Sequence, residues 1–183
     1  MHTHTEDCTC QTRRAPDSRR RFLKIAALGG GAMLLGVPAL REARAAGSVE
    51  ALLLSCMDYR LVDDTARYMD GRGLTNNYDH VILAGASLGA LTDKKEAWND
   101  TFWDHVDVAK QLHHIKKVIV MDHRDCGAYK VFLNADLKDD PVKEAAVHGE
   151  MLSKLGGMIR EKHPDLEVEL LLMALDGTVQ KIA

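Results

Sequence analysis

Apolar residues along this chain fall into short runs and helical stripes that alternate. Ala51-Leu52-Leu53-Leu54 closes a run from Val49 that reads as a buried strand. Leu61, Val62, Ala66 and Met69 then recur at helical spacing, and Gly71-Arg72-Gly73 offers a glycine for a left-handed cap. After the turn signal Asn76-Asn77, His80 to Ala84 is a second short strand. Asp93 to His114 is helical by pattern, with Phe102, Val106, Ala109 and Leu112 as its inner face. Lys117 to Met121 is a third strand, and Gly127 to Leu133 starts a short helix. Asp140-Pro141 opens another helix as N-cap and first helical residue; Val142, Ala145, Gly149, Leu152 and Ile159 carry it to Lys162, before Pro164. Glu167 to Ala174 is a fourth strand, and Asp176-Gly177 turns it back into an antiparallel Val179 to Ile182. Strands alternating with helices predict an α/β fold with a mainly parallel sheet flanked by helices and an antiparallel C-terminal strand.

The region before this pattern behaves differently. Ser18-Arg19-Arg20-Arg21-Phe22-Leu23-Lys24 precedes an apolar stretch, Ile25 to Leu40, interrupted by four glycines, and then Ala43-Arg44-Ala45-Ala46. A basic region, an apolar region and an A-x-A site form an export signal, and the stretch is too short and glycine-rich for a stable membrane span. The motif resembles the twin-arginine (Tat) signal. That resemblance implies export of a folded protein through the Tat translocon to the periplasm, with residues 1–45 cleaved and 46–183 forming the mature domain; an uncleaved N-terminal anchor is the competing reading. His2, His4, Cys8 and Cys10 precede the arginines, in a polar tail that cleavage discards.

Charge divides along the same line. The chain holds 24 basic and 27 acidic residues; the first 45 positions take 8 basic against 4 acidic, leaving 16 against 23, a formal −7. An acidic body argues against nucleic-acid binding. At 183 residues the chain has room for one domain with a substantial core.

The chemistry gathers at two strand ends. Cys56-Met57-Asp58-Tyr59-Arg60 follows the first apolar run, and His123-Arg124-Asp125-Cys126-Gly127 follows the third. Parallel sheets place their sites at the carboxyl ends of strands where strand order reverses. Neighbouring strands lie about 4.8 Å apart, close enough for both segments to reach one ion. Cys56 and Cys126 are the two cysteines left after the leader. An oxidising compartment favours joining them in a disulfide. The alternative, a metal, is favoured by His123 three residues before Cys126, by Asp58 and Arg60 beside Cys56, and by an export route that carries proteins already loaded. Two thiolates and one imidazole suit zinc and leave the fourth tetrahedral position open, the arrangement of catalytic sites. Asp58 can orient a water there or swing onto the metal, and Arg60 is spaced to pair with it. The small-residue turn Gly85-Ala86-Ser87-Leu88-Gly89 lets backbone pass close to another group; Gly85, Ala86 and Gly127 are candidate substrate-binding positions.

Cys56-x-Asp58-x-Arg60 followed by His123-x-x-Cys126-Gly127 resembles the β-class carbonic anhydrases over most of the mature chain. The resemblance implies zinc held by Cys56, His123 and Cys126, with Asp58 and Arg60 as a catalytic dyad. It implies reversible hydration of carbon dioxide to bicarbonate by a zinc-bound hydroxide, in a homodimer or larger homo-oligomer with the site near the subunit interface. The chain departs from the family at Ile82-Leu83, where relatives commonly carry Arg-Asn before the Ala-Gly pair. The pocket this predicts is apolar, which also suits carbonyl sulfide or carbon disulfide as substrates of a hydrolase; a zinc- or bicarbonate-binding protein without turnover is the third reading. His113 and His114 are expected to cap or face solvent, His105 to lie on a helix face and His148 to be packed. Trp98, Phe102 and Trp103 are assigned to the core, with an interface patch as the alternative.

Overall fold

The computed structural model describes residues 47–182. The export signal, its cleavage point and His2, His4, Cys8 and Cys10 lie outside these residues. Among the described residues, no helix is long and apolar enough to cross a membrane.

Five strands form one sheet: β1 (Ala51–Ser55), β2 (Tyr78–Ile82), β3 (Lys117–His123), β4 (Glu167–Met173) and β5 (Val179–Ile182). Their order is β2-β1-β3-β4-β5. The first four are parallel, and β5 returns antiparallel to β4. Among the described residues, four α-helices accompany them: α1 (Val62–Gly71), α2 (Glu96–His113), α3 (Gly127–Leu133) and α4 (Pro141–Lys162).

Alternation along the strands builds the layers. In the β1–β3 register, Leu52 lies beside Val118 and Leu54 beside Val120; these four pack with Phe102, Val106 and Ala109 of α2 and Leu152, Leu155 and Ile159 of α4. The intervening Ala51, Leu53, Ile119 and Met121 point to the other face, where Met69 of α1 and Leu61 cover them. Both faces of β1 and β3 are therefore buried, which explains why those strands read as unbroken apolar runs. Burying a leucine or isoleucine here stabilises the fold by roughly 1.5–3 kcal/mol.

The strand order also places the site. The chain leaves β1 through α1 to reach β2 on one side, then crosses through α2 to β3 on the other. Because parallel crossovers are right-handed, this reversal puts α1 and α2 on opposite faces. It opens a crevice at the carboxyl ends of β1 and β3.

Several sequence expectations shift. Strand β2 begins two residues earlier than expected and ends at Ile82. It is an edge strand paired only with β1, so one buried side chain, Val81, suffices there. Strand β3 runs on to His123, so the histidine is the last residue of the strand rather than part of the loop after it. Leu112 is 54% exposed, because ten residues at 100° each carry it about 80° off the stripe begun by Phe102. On α4, Val142 is 81% exposed, and the inner face of the first two turns is Glu144 and His148 instead. An apolar pattern could not reveal that face, because two polar residues occupy it.

The local signals otherwise hold. Asp140 Oδ1 accepts the Lys143 N–H at 3.0 Å, capping α4 with Pro141 in its first turn. Gly177 takes φ +82° in the β4–β5 turn, where Asp176 Oδ1 accepts from Thr178 N and Oγ1. Phe102 is fully buried, and Trp98 and Trp103 pack against the main core.

Candidate metal centre

Cys56 follows β1, His123 ends β3, and Cys126 closes the loop into α3. Their ligand atoms all lie within 4.8 Å of one another. The sulfurs are 3.9 Å apart and both thiols are free. A disulfide needs about 2.05 Å. Two sulfurs on one tetrahedral zinc, each about 2.3 Å from the ion, stand about 3.8 Å apart. The separation therefore fits a shared ion.

The imidazole supports the same fit. His123 Nδ1 donates to the Arg124 carbonyl at 2.8 Å, which leaves Nε2 with the lone pair. That Nε2 is buried and has no hydrogen-bond partner among the described residues. A buried nitrogen without a partner is costly, and a metal would satisfy it. Two sulfurs and one nitrogen in this arrangement fit zinc, with Cys56, His123 and Cys126 as the residues that would hold it.

The electrostatics favour a cation. Cys56 sits well below the usual thiol range, first through its hydrogen bond with Cys126, then through His123 and the Gly85 N–H, which donates to Cys56 Sγ at 3.2 Å; burial opposes the shift. Cys126 is pushed up by the same hydrogen bond and by burial. The two thiols titrate as a pair rather than singly.

Asp58 and Arg60 meet as the sequence suggests, and Arg60 does more than pair. Its backbone N and Nε donate to Asp58 Oδ1 at 3.0 and 2.9 Å, and Nη2 reaches Oδ2 at 2.8 Å. Its Nη1 donates to Asp125 Oδ2 at 2.8 Å. These Arg60 hydrogen bonds hold Asp58 at about 2, below the usual carboxylate range, against a smaller opposing effect of burial. Asp58 Oδ2 lies 3.8 Å from His123 Nε2, so the carboxylate borders the ligand set.

Cys56 and Cys126 open onto a depression of about 560 Å³ that is also lined by Met57, Asp58, Tyr59, Ala84, Gly127, Ala128, Val131 and Phe132. Its walls are mostly apolar.

A family model described as "Putative carbonic anhydrase" matches residues 47–183. The chain belongs to that family. It is also similar to two uncharacterized rickettsial proteins. One, from Rickettsia conorii, is 43% identical over 131 residues, covering 72% of this chain and 70% of the relative. The other, from Rickettsia bellii, is 41% identical over 131 residues, covering 72% and 80%. Among solved structures, the β-carbonic anhydrase CafA of Aspergillus fumigatus aligns with TM-score 0.48 and 14% identity, over 74% of this chain and 76% of its own. One of two tetrameric β-carbonic anhydrases from Sordaria macrospora aligns with TM-score 0.45 and 13% identity, over 75% of this chain and 82% of its own.

Of the three expected substrate positions, Gly127 lines the depression, whereas Gly85 and Ala86 do not. Gly85 instead serves Cys56; its φ is +82°, and a Cβ there would stand 2.9 Å from that of Ala128. Ala86 is fully buried in the main core. Ala84 contributes the wall in their place, with Val131 and Phe132 of α3. Those two lie three and four residues beyond Ala128, a helical stripe legible in the sequence. The sequence reading also passed over Asp122, Asp125 and Glu144. Glu144 is buried; it accepts the Asp125 N–H at 2.5 Å and pairs with Arg124 at 3.0 Å. Asp125 takes a left-handed φ of 55°. Nothing in local spacing announces partners 19 or 20 residues away.

His148 is packed, as expected, against Asp122. His113 pairs with Asp79 at 2.8 Å, His114 takes the left-handed cap of α2 at φ 50°, and the exposed His105 bonds the Thr101 carbonyl one turn back.

Proposed function

We propose that this protein is a zinc-dependent carbonic anhydrase that interconverts carbon dioxide and bicarbonate. The observation that carries the reading is the set of two free sulfurs and one unpartnered imidazole nitrogen within 4.8 Å, bordered by a carboxylate that an arginine restrains. Bound zinc supplies Lewis acidity, which makes a nucleophile of water near neutral pH. Asp58 accepts a hydrogen bond from the reacting water and aims its lone pair at the carbon. A carboxylate held at about 2 is a poor proton acceptor at neutral pH, so its role is orientation rather than proton removal. Arg60, braced by Asp125, keeps Asp58 ionised and pinned beside the metal instead of on it. Met57, Ala84, Val131 and Phe132 offer an apolar wall to a linear, apolar molecule.

The apolar wall equally suits carbonyl sulfide, so the two substrates are assayed together. Stopped-flow hydration of carbon dioxide by zinc-loaded protein is expected to exceed clearly that of Cys56→Ala. Equal rates would remove the carbonic anhydrase reading. Sulfide release from carbonyl sulfide in its place would make the protein a hydrolase, and silence in both assays with zinc bound would leave a binding protein.

The Ser18–Lys24 motif supports export by the twin-arginine pathway to the periplasm with cleavage after Ala45. Exposed Met57, Tyr59 and Val131 around the mouth support a homo-oligomer that covers it.

A further inference from the structure

Asp122 is 1% exposed and precedes the ligand His123, yet neither the dyad nor the ligand set uses it. Its Oδ1 accepts the Ser87 N–H at 2.9 Å. Its Oδ2 accepts from Ser87 Oγ at 2.7 Å, Tyr129 Oη at 2.6 Å and His148 Nδ1 at 2.9 Å. A buried carboxylate is tolerated only when hydrogen-bonded, and this one has four donors from three parts of the chain.

Those parts are the ones that carry the metal centre. Ser87 lies two residues after Gly85, whose N–H bonds Cys56 Sγ. Tyr129 lies three residues after Cys126, in the first turn of α3. Its ring packs against that of His148 with centroids 3.9 Å apart. His148 stands one turn after Glu144, which holds the loop between His123 and Cys126. β3, the Gly85 turn, α3 and α4 thus converge on one carboxylate.

We propose that Asp122 is a positioning residue for the metal centre: by binding Ser87, Tyr129 and His148 together it sets the spacing of Cys56, His123 and Cys126 before the metal arrives. This inference rests on the metal reading above. Partners beyond the ligands orient them, and losing one typically weakens metal binding by about 10–100-fold.

The test measures zinc affinity by chelator competition and the visible absorption of the cobalt-substituted protein for wild type, Asp122→Asn, Tyr129→Phe and Ser87→Ala. Thermal melts of the metal-free proteins report folding. Arg72→Met, which removes the half-buried pair between Arg72 at the end of α1 and Glu169 of β4, serves as a control for lost stability alone. Asp122→Asn is expected to bind zinc at least tenfold more weakly, with Tyr129→Phe in the same direction and a shifted cobalt spectrum. Arg72→Met is expected to melt earlier with unchanged affinity and spectrum. If Asp122→Asn does not fold, Tyr129→Phe and Ser87→Ala decide the question. Variants that melt earlier but match wild type in affinity and spectrum would overturn the inference and leave the metal reading intact. A wild type that binds no zinc would remove both.

Discussion

The two sides of the ligand set invert the usual distribution of polarity. The front, open to solvent, is lined by Met57, Ala84, Val131 and Phe132, with Met57 and Val131 each 68% exposed. The rear, sealed by α3 and α4, is polar: Ser87, Asp122, Tyr129 and His148 form one hydrogen-bonded group in which every residue is buried. Exposed apolar surface and buried charge are both unfavourable for folding alone. Their meeting at one triad fits the proposed roles, an apolar molecule or a second copy of the chain at the front and rigidity at the rear. Asp58 and Arg60 sit at the front's polar edge, where one carboxylate can serve a reacting water.

The contrast can be broken at the triad itself. Cys126→Ala removes a residue that both sides share. A quarter of the about 10–16 kcal/mol that a four-ligand zinc site supplies corresponds to about a hundredfold to thousandfold weaker binding, measurable by chelator competition. Carbon dioxide hydration should vanish with the metal. At the front edge, Asp58→Asn should keep zinc stoichiometry near one per chain while lowering the hydration rate by about a hundredfold. Loss of zinc in that variant would make Asp58 a ligand instead.

Stability separates front from rear more finely. Tyr129→Phe leaves the buried Asp122 short of a donor and should cost about 1–3 kcal/mol in urea unfolding. Val131→Ser, on the exposed front, should stay within about 0.5 kcal/mol. Equal costs would erase the distinction. The smallest effect concerns acid. Asp58 has its folded pKa depressed from 3.8 to about 2, so its stabilising contribution is present above about pH 4 and is lost as pH falls toward 2. Asp58→Asn should remove that slope from the acid-unfolding curve.

Much of this was legible beforehand because it is local or periodic. The apolar runs of β1 and β3 announced strands buried on both faces. The Asp140-Pro141 cap and the Asp176-Gly177 turn each depend on a few adjacent residues. Cys56, Asp58, Arg60, His123 and Cys126 could be picked out by residue type and their place after apolar runs. The errors share a cause. Leu112 and Val142 are apolar but lie off the packed stripe, and only the neighbouring layer decides which stripe is packed. Gly85 is a place of close approach, as its turn suggests, and the group its N–H meets is the Cys56 sulfur, 29 residues away in the chain. Asp122 and Glu144 looked like ordinary acids, because their donors come from 7 to 35 residues away.

By itself the amino-acid sequence determined the elements, their α/β alternation and the donor atoms for an ion, since these follow from periodicity and side-chain chemistry. Only the tertiary structure decided that two thiols would stand 3.9 Å apart without a bond, and that a buried carboxylate would brace the segments holding them. The reason is physical. Strand order and crossover handedness bring β1 beside β3, and the register between them is set by packing over the whole sheet, which no single stretch of the chain encodes.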